Sequence, residues 1–111
     1  MAISQHADGS QASSGTTEHF LGTDPDTTDG VFQFVVETSD LIDTDVLEIR
    51  VYEKIRAAGD TARQVHSWIL RDLQTDPIWF SPTLILLHGW RFSIKMTTGA
   101  ATLQWSVRKV A

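Results

Sequence analysis

The stretch LILLHGWRFSIKM, residues 84–96, decides the class of this protein. Its second half alternates strictly, with Trp90, Phe92, Ile94 and Met96 on one side and Arg91, Ser93 and Lys95 on the other. Successive side chains of a strand point to opposite faces, so a period of two predicts an antiparallel strand with one buried face. The first half, four apolar residues running into His88-Gly89, has the form of the α/β-hydrolase strand that enters an oxyanion loop. A chain of 111 residues is too short for the several βαβ units of a hydrolase core, and it contains no G-x-S-x-G. His88-Gly89 is therefore read as the tight connection between an apolar strand and an alternating one.

The same alternation recurs outward from this stretch. VFQFVVET (31–38) sets Phe32, Phe34 and Val36 on one side. DVLEIRVYEKI (45–55) sets Leu47, Ile49, Val51 and Ile55 against Glu48, Arg50, Tyr52 and Lys54, and LQWSVRK (103–109) groups Leu103, Trp105 and Val107. ARQVHSWILRDL (62–73) is assigned to a strand because Val65, Trp68 and Ile69 favour β and no helix cap precedes it. PIWFSPTLILL (77–87) is interrupted by Pro82 and predicts an edge strand or two short pieces with a bend. Turn residues cluster at 39–45, 57–60, 75–77, 88–89 and 97–100. Six strands and no helix predict an all-β domain over 31–111, a small antiparallel β-sandwich or jelly-roll-like barrel.

Residues 1–30 read differently. They are rich in Gly, Ser, Thr and Asp, and their large apolar side chains are few: Ile3, Phe20 and Leu21. Such a segment buries too little to offset its ordering entropy, so it is expected to be an extended polar arm docking on a partner through those three residues. Deleting residues 1–18 is then expected to leave the β-domain folded. The arm carries five acids and no base, whereas residues 31–111 hold nine of each, so the net charge of −5 resides entirely in the arm. No basic footprint for nucleic acid is present. No n-region or h-region of a signal peptide occurs, and the longest apolar run, Leu84 to Leu87, is far below a membrane span. A soluble protein made in the cytoplasm is expected, with neither nucleic acid nor membrane as partner. The absence of cysteine removes disulfides and thiolate metal sites.

Catalytic and metal chemistry find little support in the residues. His6, His19, His66 and His88 are not spaced as a local metal pair. Asp24, Asp26 and Asp29 approach a calcium-loop pattern but miss it at the fifth, sixth and twelfth positions, which are Thr28, Asp29 and Val35. No nucleophile–base arrangement, phosphate loop or cofactor box is visible, so no enzyme, metal or cofactor is expected. The aromatics of DPIWFSP carry more information. Trp79 and Phe80 are adjacent on an extended segment, so one of them faces outward and can mark an interface. Recognition of sugars through Trp79, Phe80 or Trp90 is the alternative from another functional class.

The blocks TTDGVFQFVV, LEIRVYEKI, DPIWFSPTLILLHGWRFSIKM and LQWSVRKV, in this order and spacing, resemble a group of small proteins encoded among the structural genes of tailed bacteriophages. The resemblance covers roughly residues 16–111 and carries no catalytic residues. It implies a virion-associated β-sandwich, and the profile suits a capsid decoration (cement) protein on the outer capsid surface. The implied partners are the major capsid protein and copies of the chain itself, as a trimer. A tail or head–tail connector component is the alternative within this class. The expected contact residues are Ile3, Phe20, Leu21, Trp79 and Phe80.

Overall fold

The computed structural model describes residues 2–56 and 59–110. They form nine strands: β1 (Ile3–Ser14), β2 (Glu18–Asp26), β3 (Gly30–Glu37), β4 (Val46–Lys54), β5 (Arg63–Arg71), β6 (Ile78–Phe80), β7 (Leu84–Leu86), β8 (His88–Thr98) and β9 (Ala100–Val110). One sheet has the order β1–β9–β3–β6, with β7 also on β3; the other has the order β2–β8–β4–β5. All pairings are antiparallel. Only β4–β5 and β6–β7 stay within one sheet; every other link crosses to the opposite one. The protein is a small β-sandwich, as the alternation predicts.

The core is the set of inward positions read from the period of two. Phe32, Phe34 and Val36 of β3, with Leu103, Trp105 and Val107 of β9 beside them, face Leu47, Ile49 and Val51 of β4 and Trp90 to Met96 at every second residue of β8. The Phe34 and Phe92 rings approach to 4.3 Å and Trp90 lies 4.8 Å from Phe32, joining the two sheets by aromatic contact. Each buried large side chain contributes roughly 1.5–3 kcal/mol, which is why these four strands hold the rest. Ile55 departs from the expected face: β4 ends at Lys54, and Ile55 is exposed.

Two pieces lie where Pro82 predicts a bend. β6 and β7 pair with opposite ends of β3, and Ser81 fills the gap between them. The Phe34 amide donates to Ser81 Oγ, the Ser81 amide donates to Phe34 O, and Gln33 Nε2 donates to Ser81 O. A buried serine thus completes the β3 ladder where the chain must turn. The β7–β8 connection is the single residue Leu87, and His88-Gly89 already belong to β8, with φ of +45° at Gly89. Of the expected turn at 57–60, residues 57 and 58 lie outside the described residues.

The expected arm is where the structure differs most. Residues 3–14 and 18–26 are β1 and β2, each an edge strand, on β9 and β8 respectively. Leu21, expected as an arm anchor, is buried in the core, 5 % exposed. The physical reason is Trp105. Its indole occupies the space that a side chain at Gly9 would fill, since a Cβ there would come within 2.9 Å of the ring, and Gly22, with φ of +72°, lies beside the ring at a contact distance of 3.5 Å. The small residues that make the segment look unstructured are what let two strands close over a large aromatic.

Removal of residues 1–18 therefore strips β1 from β9 and uncovers Trp105. The truncated chain is expected to lose its cooperative thermal transition and the near-ultraviolet circular dichroism of packed tryptophan. A transition within a few degrees of the full chain would show that the segment is dispensable to the fold.

Candidate functional site

Polar side chains gather in two places, and in both they join strands. On the outer face of the β2–β8–β4–β5 sheet, Glu18 accepts from the Tyr52 hydroxyl at 2.7 Å and the Ser93 hydroxyl at 2.6 Å. Arg50 lies 3.5 Å from the same carboxylate and also pairs with Glu48. Burial alone would raise the Glu18 pKa, but the Ser93 and Tyr52 hydroxyls and the Arg50 charge outweigh it and hold the carboxyl below its ordinary range. Burial and the Glu18 bond push the Tyr52 phenol up. Beside this cluster Arg91 pairs with Asp24 and lies over the Phe20 ring at 3.5 Å. Phe20 also packs on Tyr52, so it is spent holding β2.

The second cluster is His6 and Asp26. His6 Nε2 is 2.6 Å from Asp26 Oδ2, and the Thr28 amide donates to Asp26 Oδ1. The indole N–H of Trp90 donates to Thr28 O. Burial would raise Asp26, but the His6 bond and the Thr28 amide lower it. His6 packs on the Phe32 and Trp90 rings, so a β1 histidine is tied to a β2 carboxylate over the core. Of the three aspartates of the approximate calcium pattern, Asp24 and Asp26 are engaged in these pairs. Among the described residues no group of three or more His, Cys, Asp or Glu is placed to hold a metal ion.

The outer face of the β1–β9–β3 sheet is different in kind. Ile3 pairs with Val110, Val110 with Val31, and Val31 with Ile85, so four strands place four apolar side chains in one outward row. Ile3 is 67 % exposed and Ile85 81 %. Further along the face, Phe80 is 46 % exposed opposite Val35, with the Arg108 guanidinium 5.0 Å above its ring. Asp8, Gly9, Val35, Ile78 and Gln104 help line a shallow groove of about 250 Å³ beside it. An outward row of apolar residues, exposed at its two ends and half-buried at Val31 and Val110, flanked by an Arg–aromatic pair, has the make-up of an interaction surface.

Of the five contact residues expected from the sequence, the structure brings Ile3 and Phe80 to this face. Trp79 points inward as Phe80 points outward, and packs on Trp68 with ring centres 5.1 Å apart. Phe20 lies on the opposite sheet and Leu21 in the core. Trp90, considered as a sugar platform, is 2 % exposed and cannot serve as one. Sequence reasoning missed Val31, Ile85 and Val110; only the strand register puts them in line with Ile3. No protein-family profile, curated protein or solved structure matches the chain.

The carboxylate clusters set the acid behaviour. Both Glu18 and Asp26 have folded pKa values depressed below their ordinary ones, so their stabilisation is present above the ordinary carboxylate range and lost as pH falls through it. Glu18→Gln is expected to lower stability at neutral pH by roughly 1–2 kcal/mol and to flatten the loss of stability on acidification. Urea unfolding between neutral pH and the carboxylate range reads both. An unchanged acid slope would place the pH dependence elsewhere.

Proposed function

We propose that this chain is a non-enzymatic structural protein of a phage virion, a decoration (cement) protein that binds the outer capsid surface and stabilises the head. The observation that carries this reading is the outward apolar row of Ile3, Val110, Val31 and Ile85, with Phe80 and Arg108 on the same face. A sheet face of this make-up suits a broad protein surface better than a small molecule, because the groove beside it is shallow and open. The resemblance of the strand blocks to small phage structural proteins supplies the kind of partner, the major capsid protein. The polar clusters support the reading in a second way: Glu18, Asp24 and Asp26 have their hydrogen-bonding capacity taken up by strand-to-strand contacts.

Capsids stripped of this protein are expected to lose resistance to heat and chelators, and to regain it when the protein is added back. Ile3→Glu together with Ile85→Glu changes two exposed residues and is expected to leave circular dichroism unchanged. Co-sedimentation with stripped capsids should weaken at least tenfold, about 1.4 kcal/mol. Undiminished binding by the double variant, or imaging that finds the protein only on the tail, would contradict the proposal.

A further inference from the structure

The four sheet edges are not equally guarded. The ladder of β2 to β8 lapses between Leu21 and Asp26, and Pro25 in that stretch has no N–H to offer. The β6/β7 edge is two three-residue strands on either side of Pro82. Short strands, prolines and bulges are devices that keep a sheet edge from pairing with another chain. β1 and β5 lack them over most of their length. β1 pairs with β9 without interruption from Ala7 to Ser14, and β5 pairs with β4 without interruption from His66 to Arg71. Neither strand contains Pro or Lys. They belong to different sheets and lie on opposite sides of the sandwich.

The two open edges also differ in chemistry. β5 exposes Val65 and Ile69, with Leu73 just beyond, and Trp68 is only half-buried at its flank. It has an arginine at each end, Arg63 and Arg71, and no acid between them; residues 54–73 hold four bases and two acids, Asp60, which lies 4.0 Å from Arg63, and Asp72. β1 has small polar side chains and one acid, Asp8, which is exposed and in no ion pair among the described residues. Of the other four acids in residues 1–30, Glu18, Asp24 and Asp26 are engaged by Arg50, Arg91 and His6, and Asp29 lies outside both edge strands. Like edges do not match. Two β5 strands paired antiparallel about Ser67 would set Arg63 against Arg71 at both ends, and like charges directly opposite destabilise a strand pair. Two β1 strands would bury little apolar surface.

We infer that copies of this chain associate head to tail, with the β5 edge of one copy pairing with the β1 edge of the next. Asp8 then lies opposite one arginine end of β5, Arg63 or Arg71, which are about 26 Å apart along the strand, and Trp68 and Ile69 lie against the small side chains of β1. The contact is heterologous, so each added copy leaves one edge of each kind open; the assembly closes as a ring or grows as a chain. This deepens the reading of the protein as an assembly component, and it uses edges rather than the apolar face assigned to the capsid.

Two exposed-site variants test it, with light scattering and sedimentation reporting mass. Wild-type protein is expected to exceed the 12.4 kDa of one chain as concentration rises, less so at high salt. Asp8→Arg alone, and Arg63→Glu with Arg71→Glu, should each weaken association at least tenfold while circular dichroism stays unchanged. An equimolar mixture of the two should regain wild-type association, because each altered edge then meets one of opposite charge. A wild type that remains at the mass of one chain up to about 1 mM would overturn the inference, since such an affinity is weaker than about −4 kcal/mol. So would a silent Asp8→Arg, or a mixture that fails to recover. Attachment to stripped capsids is read separately, by the Ile3→Glu with Ile85→Glu variant, which leaves Asp8, Arg63 and Arg71 unchanged.

Discussion

The position of Trp105 is the constraint on which the remaining structure depends. β9 lies between β1 and β3, and its inward indole is too large to be covered by ordinary strands at the edge of the sandwich. Gly9 removes the side chain that would collide with it, and Gly22 adopts a φ of +72° as it passes the ring in van der Waals contact. With those two glycines in place, β1 can run along β9 and β2 can run along β8, and the first 26 residues become wall rather than appendage. A chain this small has limited core to spare, and giving up two strands would leave an aromatic face open to water.

The N-terminal acids follow from that placement. An edge strand has a hydrogen-bonded neighbour on one side only, so β1 and β2 need further attachments. Glu18 ties β2 to Tyr52 and Arg50 of β4 and to Ser93 of β8, and Asp26 ties it to His6 of β1. Asp24 adds Arg91. What reads along the sequence as a solubilising charge block is, in space, a set of joints. The surfaces left unspent are the apolar outer face of the β1–β9–β3 sheet and the two open edges, and these are where the molecule offers contact to others.

Much of the fold is legible in the sequence because alternation needs no knowledge of neighbours. Phe32, Phe34, Leu47, Ile49, Trp90, Phe92, Leu103 and Trp105 declare their face by spacing alone, and Pro82 declares the break between β6 and β7. β1 escapes that reading because it has almost no inward apolar side chains of its own. Ser13 is its one buried residue, with His6, Ala7 and Gln11 half-buried. Its inward partner is a tryptophan almost a hundred residues away, and a glycine accommodating that ring looks the same in sequence as a glycine in a flexible leader. The candidate surface divides the same way. Adjacent Trp79 and Phe80 must face opposite sides, so one exposed aromatic is foreseeable. Val31, Ile85 and Val110 become a row only through the register of four strands.

Amide hydrogen exchange across Ala7–Ser14 tests the central claim most directly, namely that the acidic N-terminal segment is a structural strand. If β1 closes the sandwich over Trp105, its β9-facing amides are protected and exchange only with global opening, alongside those of β9. Exchange of that whole segment at the rate of an unstructured peptide, with β3, β4 and β8 still protected, would contradict the account.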